Sequence, residues 1–122
     1  MSYIDGFVLA VPIANKDAFI KYAQTVDTVF TDLGATRVLE CWADDVKDGK
    51  ATDFRKAVKA TEEETVVFSW IEWPDKKTRD AAMEAMMSED FSDERMDMEK
   101  HPMPLDGKRL IYGGFRPIVE LS

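Results

Sequence analysis

Apolar positions along this chain recur with two periods, and the order of the two patterns predicts the fold. Four stretches show the period of two that is typical of β-strands, and two longer ones repeat about every 3.6 residues, as amphipathic helices do. The predicted strands are 3–12, 35–43, 65–74 and 110–120, and the predicted helices are 16–33 and 76–88. The order β-α-β-β-α-β is typical of an α+β, ferredoxin-like sheet of four antiparallel strands with both helices on one face.

The stretch 65–74, TVVFSWIEWP, is the most apolar part of the sequence and is predicted to be a central strand. One row of its side chains is Val66, Phe68, Trp70 and Glu72, and the other is Val67, Ser69, Ile71 and Trp73. Because both rows are mostly apolar, we expect both sides of this strand to be covered.

Capping residues set the predicted ends of the helices. Asn15 and Asp75 are good N-caps for the two long helices, and Gly34 suits the left-handed residue that often follows a helix. Two shorter helices are predicted to begin after Thr52 and Ser92.

Two helices cover only one face of such a sheet, and the strand patterns assign one row of each strand to each face. The rows assigned to the helix side contain Ile4, Val8, Leu39, Cys41, Val67, Ile71, Ile111 and Phe115. The rows assigned to the open side contain Asp5, Phe7, Leu9, Val38, Glu40, Trp42, Phe68, Trp70, Glu72, Tyr112 and Arg116. So many rings are too much apolar surface to leave in water. We therefore expect a second copy to pack face to face in a homodimer; the alternative is a monomer with an exposed platform.

Charge and composition narrow the classes of partner. The net charge of −8 repels phosphates, so we expect no nucleic-acid partner. No apolar run approaches the ~20 residues that span a bilayer, so no membrane partner is expected. The single cysteine allows no internal disulfide and fits a reducing compartment. These features predict a cytoplasmic protein with one domain, 1–122.

Three carboxylates, Asp5, Glu40 and Glu72, are predicted to converge on the open side of the sheet. An apolar enclosure raises the pKa of a carboxyl group, which suits a general base or acid, and Asp5 and Glu72 are the candidate catalytic residues. The predicted pocket is lined by Phe7, Glu40, Trp42, Phe68, Trp70, Tyr112 and Arg116. The alternative is that Glu40, Glu72 and Arg116 form ion pairs across the dimer interface.

Metal-ligating residues are sparse in the sequence. His101 is the only histidine and Cys41 the only cysteine, and no pair of ligands has the spacing of a metal motif. We expect no metal and no cofactor. Cys41, placed on the helix-facing row, is expected to be buried and unreactive.

Four motifs resemble those of a known family: DGF at 5–7, TDF at 52–54, VVFSWIEWP at 66–74 and MPLDGKRLIYGGF at 103–115. The chain resembles the YbaA-like bacterial family of unknown function over nearly its whole length. The resemblance implies a dimeric α/β-barrel, the architecture of antibiotic-biosynthesis-type monooxygenases and their haem-degrading relatives. It implies no established activity and brings no catalytic residues.

Three functions follow as hypotheses. The first is a homodimer that holds a small aromatic or acidic metabolite between its sheets. The second is a cofactor-independent enzyme, a monooxygenase or an isomerase, that uses Asp5 or Glu72 as a base. The third is a structural or protein-interaction dimer that uses the irregular connection 44–64. Whether the protein is an enzyme stays open.

Overall fold

The computed structural model describes all 122 residues, and its helices and strands follow the predicted order. The strands are β1 (Tyr3–Pro12), β2 (Arg37–Trp42), β3 (Glu64–Trp73) and β4 (Ile111–Phe115). The helices are α1 (Lys16–Asp32), α2 (Phe54–Ala57) and α3 (Lys76–Met87), with 3-10 turns at Ile13–Asn15, Glu94–Met96 and Gly107–Arg109. The strands pair antiparallel in the order β2-β3-β1-β4. The predicted α+β, ferredoxin-like fold is confirmed.

The core lies between the sheet and the two long helices. Its largest clusters combine Leu9, Val11 and Val67 with Phe19 and Ala23 of α1, and Tyr3, Ile71 and Trp73 with Ala82 of α3. Trp73 is completely buried. Burial of each large side chain here is worth about 1.5–3 kcal/mol, so this layer carries most of the stability of the fold.

The cross-strand register shows that the predicted faces are right for β3 and wrong for the other three strands. Directly opposite residues share a face, and the opposite pairs include Leu9 with Val67, Val38 with Ile71, and Phe7 with Tyr112. The helix side therefore carries Asp5, Phe7, Leu9, Val38, Glu40, Trp42 and Tyr112, against the prediction. The open face consists of Ile4, Val8, Leu39, Cys41, Phe68, Trp70, Glu72, Ile111 and Phe115.

The wrong assignments have a common cause. Both rows of β2 mix apolar with polar residues, and both rows of β1 are largely apolar, so alternation alone does not tell which row is buried. The prediction gives the rows that look most apolar to the helix side, since apolar residues are usually buried. In the structure, however, Asp5 is among the buried residues, because a cation on α3 pairs with it.

The helix ends are fixed by fewer side chains than the sequence suggested. Asp75 caps α3 as predicted, since its carboxylate accepts from the backbone N–H of Thr78 at 2.7 Å. Gly34 follows α1 with φ of 115°, a conformation that favours glycine. Asn15 does not cap α1; its side-chain amide donates to the carbonyl of Pro104 at 2.9 Å.

The two predicted short helices differ from expectation in their caps and lengths. α2 is capped by Asp53 and not by Thr52, because the carboxylate of Asp53 reaches the N–H of Lys56 at 2.7 Å. The helix predicted after Ser92 is a single turn, Glu94–Met96, capped by Asp93.

The long connection between β2 and β3 is anchored to the sheet. Val58, which is 1% exposed, packs on Ala10 and Val66 and covers one end of the face that the long helices leave bare. Arg109, just before β4, holds both carboxylate oxygens of Glu64 at 2.6 and 2.7 Å and also donates to the carbonyl of Lys59. These hydrogen bonds lower the pKa of Glu64 to about 2.

The fourth strand is shorter than predicted. It ends at Phe115, because Pro117 has no N–H to donate to the ladder. The remaining residues, 116–122, are the C-terminal tail. The tail has no regular structure, and its apolar side chains are almost fully exposed.

Candidate functional site

A groove lies between the first helix and the edge strand β2, and we call it the α1–β2 groove. It encloses about 460 Å³. Its apolar wall is formed by Phe19, Ile20, Ala23, Val38 and Trp42, and its polar groups include Lys16, Asp27 and Glu40. Such a mixture of an apolar wall with a few convergent polar groups is typical of small-molecule sites.

Two carboxyl groups meet in this groove, Asp27 from α1 and Glu40 from β2. Both side chains line the groove, and a hydrogen bond between two carboxyl groups needs a proton on one of them, because two carboxylates have only acceptors. Burial of the carboxyl group, with the negative charge of Asp27 beside it, raises the pKa of Glu40 to about 9. Burial also raises the pKa of Asp27. A carboxyl group with this pKa keeps its proton at neutral pH.

Ser69, Tyr22 and Lys16 lie around this carboxyl pair, and two of them are linked to it through their effects on pKa. Ser69 of β3 lies opposite Glu40 and lowers the pKa of Glu40, against the effect of burial. Burial and the two carboxyl groups raise the pKa of Tyr22. At the end of the groove, the ammonium of Lys16 lies 5.3 Å from the centre of the Trp42 ring, within cation–π range.

The shared proton predicts that stability falls with rising pH. Between the ordinary pKa of a glutamic acid and about 9, the folded state binds more protons than the unfolded chain, so the free energy of unfolding decreases through that window. The Glu40→Gln variant should lose this slope. Because Glu40 keeps exposed surface, solvent screening limits the effect to roughly 1–2 kcal/mol. Urea unfolding from pH 5 to 9 measures the slope.

The control for this measurement is Glu84→Gln, an exposed residue on α3. It should keep the slope of the unmodified protein. Equal slopes for Glu40→Gln and Glu84→Gln would contradict a shared proton in the groove.

Asp5 does not open onto a pocket, and the predicted convergence of Asp5, Glu40 and Glu72 is wrong. The carboxylate of Asp5 is held by the guanidinium of Arg79 at 2.9 Å and by the indole N–H of Trp73 at 2.9 Å. A methyl group on Gly114 would clash with the hydroxyl of Tyr3 and lie 2.9 Å from Arg79. This corner is packed shut, so Asp5 acts as the partner of Arg79 and has no free edge for a base.

Glu72, the other candidate base, lies on the open face. Its nearest cation is Arg37, with Nε at 3.8 Å from Oε2, and the Arg37 side chain is 64% exposed. An exposed pair at this distance contributes little to stability. Neither Asp5 nor Glu40 reaches this face, so Glu72 has no second carboxyl group beside it.

The remaining predicted pocket residues divide between the two sides of the sheet. Five of them line a hollow of about 640 Å³ on the open face: Phe7, Phe68, Trp70, Tyr112 and Arg116. Phe68 is edge-on to Trp70, with ring centres 5.5 Å apart.

Phe7 and Tyr112 are stacked on each other, with ring centres 6.1 Å apart, on the helix-side rows of β1 and β4. Trp42 and Glu40 lie in the α1–β2 groove. Five of the seven predicted pocket residues therefore line one hollow, and the other two line the groove.

Sequence reasoning missed Asp27 and Arg79. Both lie on helices, where a charged residue is usually taken as part of a solvated face. Asp27 follows Val26 of the buried stripe of α1, so it borders the apolar face. That position was the available signal, and nothing local pointed to Glu40 as its partner.

Cys41 and His101 lie away from the groove. Cys41 is on the open face, half-buried, and not on the helix side as predicted. His101 lies in a loop against the outer surface of α1. No three His, Cys, Asp or Glu side chains are gathered as metal ligands would be. None of the helices is both long and apolar enough to cross a lipid bilayer.

The fold and the groove define the class: a small α+β protein of ferredoxin-like topology with a helix–sheet groove. The chain belongs to the family described as "Protein of unknown function (DUF1428)", whose model matches residues 2–107. It is 56% identical over 120 residues to "Uncharacterized protein YbaA" of Escherichia coli (strain K12), covering 98% of this chain and 99% of that relative. The protein of the same name from Shigella flexneri matches equally well.

Among solved structures, the fold is similar to that of a dimeric ferredoxin-like protein from an uncultured marine organism. The sequence identity is 12% and the TM-score 0.49, over 100% of this chain and 99% of that one. A likeness this distant indicates neither an assembly nor a function for this chain.

Proposed function

We propose that this protein is a homodimer that binds a small aromatic metabolite, one in the α1–β2 groove of each copy. The observation that supports binding is the carboxyl pair held against an apolar wall. The homodimer is supported separately, by the apolar surface of the open face.

The open face is the surface on which the second copy would pack. Phe68, Ile111 and Phe115 are 43%, 46% and 61% exposed there. A patch with this many exposed rings and aliphatic side chains marks an interaction site. Two such sheets packed face to face form a dimeric α/β-barrel, the architecture that the family resemblance implies.

The ligand is placed in the groove and not between the sheets. An inter-sheet site would have Glu72 as its only carboxyl group, and side chains of the second copy would fill the hollow beside it. The groove combines an apolar wall with a proton donor, and it lies on the other side of the sheet from the proposed interface.

The chemistry of the groove favours an uncharged aromatic ligand that carries a carbonyl or hydroxyl oxygen. The ring would lie on the apolar wall beside Trp42, and the oxygen would replace Asp27 as the acceptor of a hydrogen bond from the Glu40 carboxyl group. The pair keeps one negative charge, so it disfavours an acidic ligand more than a neutral one.

A thermal-shift screen against neutral and acidic aromatic compounds tests this proposal. Neutral aromatic ketones and phenols should raise the melting temperature of the unmodified protein. They should raise that of Glu40→Gln less, because the amide that replaces the acid is a weaker donor. Glu84→Gln is the control and should respond like the unmodified protein. Stabilisation by no compound, or equal stabilisation of both glutamine variants, would leave a structural dimer as the remaining candidate.

A second candidate function, proton transfer in an isomerase, is favoured by the same carboxyl pair. Glu40 would donate its proton to a ketone oxygen while the carboxylate of Asp27 removes one from the adjacent carbon. The ketone becomes its enol, and no oxidant is consumed. Incubating the ketones with the protein in D₂O separates the two functions, since only an enzyme speeds the exchange of the protons next to the carbonyl above its rate in buffer, which proton NMR measures. Asp27→Asn should abolish that exchange.

A further inference from the structure

The C-terminal tail carries apolar side chains that nothing in one copy covers. Ile118, Val119 and Leu121 are 92%, 73% and 93% exposed. Phe115 pairs with Ile4 near the start of β1, so the tail runs past the end of the sheet.

Few contacts hold the tail to the rest of its own chain. Its side-chain hydrogen bond is that of the Glu120 carboxylate, which accepts from the hydroxyl of Ser2 at 3.2 Å. Residues 116–122 have no regular structure, and no residue of the tail is buried. The protomer therefore offers these apolar side chains no surface of its own.

We propose that the tail crosses to the second copy of the chain and packs Ile118 and Leu121 on the open face of that copy. This inference rests on the proposed homodimer. The tail of each copy would then form part of the interface on the other copy. In a single copy, the tail stays exposed to water.

The area that a stable dimer needs supports the exchange. A stable interface buries about 800 Å² on each partner. A whole aromatic side chain buries about 150–250 Å², so the half-covered rings of Phe68, Trp70 and Phe115 offer roughly 100 Å² each. The three rings supply well under half of the requirement, so a stable interface needs apolar area beyond them. The nearly uncovered tail side chains add about 100 Å² each.

The tail and the open face are continuous, and this supports the same arrangement. Arg116 and Pro117, the first residues of the tail, line the same hollow as Phe115 and Trp70. The tail therefore begins at the rim of the open face, where a second copy would already be in contact.

Deletion of residues 118–122 tests the proposal. Sedimentation velocity over a dilution series should show a dimer dissociation constant at least tenfold higher than that of the full chain. A second variant, Ile118→Ser with Leu121→Ser, keeps the length of the tail and should weaken the dimer in the same direction. Met87→Ser is the control, since Met87 is 86% exposed on α3, and it should leave the dissociation constant unchanged.

Isotope-filtered NOE spectra of dimers mixed from ¹³C-labelled and unlabelled chains show which copy the tail touches. We expect contacts between copies, from the methyl groups of Ile118 and Leu121 to the rings of the open face. A full-length chain that stays monomeric would overturn both the homodimer and the tail exchange. A dimer whose dissociation constant changes less than twofold on deletion, with tail contacts only within one copy, would overturn the exchange alone.

Discussion

Replacement of Arg79 by methionine should lower the free energy of unfolding by about 3–5 kcal/mol, as measured by urea titration at pH 7. Asp5 is 4% exposed, and the guanidinium of Arg79 holds both of its carboxylate oxygens within 3.2 Å. Methionine keeps most of the packing on Tyr3 but removes the charge. The carboxylate is then left in the core with the indole N–H of Trp73 as its main partner.

Two further variants separate the buried charge from lost packing. In the Arg79→Met background, Asp5→Asn should recover part of the loss, because a neutral amide can still accept the bond from Trp73. Lys100→Met removes a cation from an exposed pair with Glu94 and should cost less than about 1 kcal/mol. An Arg79→Met protein no less stable than Lys100→Met would show that the buried pair is not what holds α3 on the sheet.

Phe68→Asp should raise the dimer dissociation constant at least a hundredfold and leave the fold intact. Phe68 lies near the middle of the open face, 43% exposed in one copy and edge-on to both Phe54 and Trp70. Two-fold symmetry doubles the effect, since each interface would contain two new carboxylates without partners in an apolar layer. Sedimentation velocity measures the assembly, and circular dichroism checks the fold.

Ile13→Asp is the matched control for this prediction. Ile13 is 55% exposed on the turn before α1, and it lies outside the open face. An acidic residue there should leave the dimer unchanged. If Phe68→Asp and the unmodified chain have the same dimer dissociation constant, the open face is not the interface.

The order and approximate ends of the major elements could be predicted from the sequence because they depend on local chemistry. Asp75 caps α3 through its own neighbour in the chain, and Gly34 ends α1 through its own backbone. The stripe of α1 has the period of a helix, and Phe19, Ala23 and Val26 are buried as that period requires.

The faces of three strands could not be predicted, because contacts between distant residues decide them. Asp5 is buried by a cation 74 residues further along the chain. Glu40 lies on the α1 side of the sheet, where it lines the groove with Asp27. In both cases an ionisable side chain lies on the side that alternation gives to apolar ones. The candidate site therefore lies in the α1–β2 groove, whereas the sequence predicted it on the open face.

The hold of Arg109 on Glu64 makes two distant parts of the chain open together. β4 is a five-residue edge strand with two glycines. Its backbone hydrogen bonds to β1 alone would hold it weakly. To peel it away, the protein must also release the start of β3 and the carbonyl of Lys59. The β4 edge of the sheet thus depends for its stability on the connection between β2 and β3. Acid below about pH 4.5 loosens both progressively as Glu64 takes up its proton.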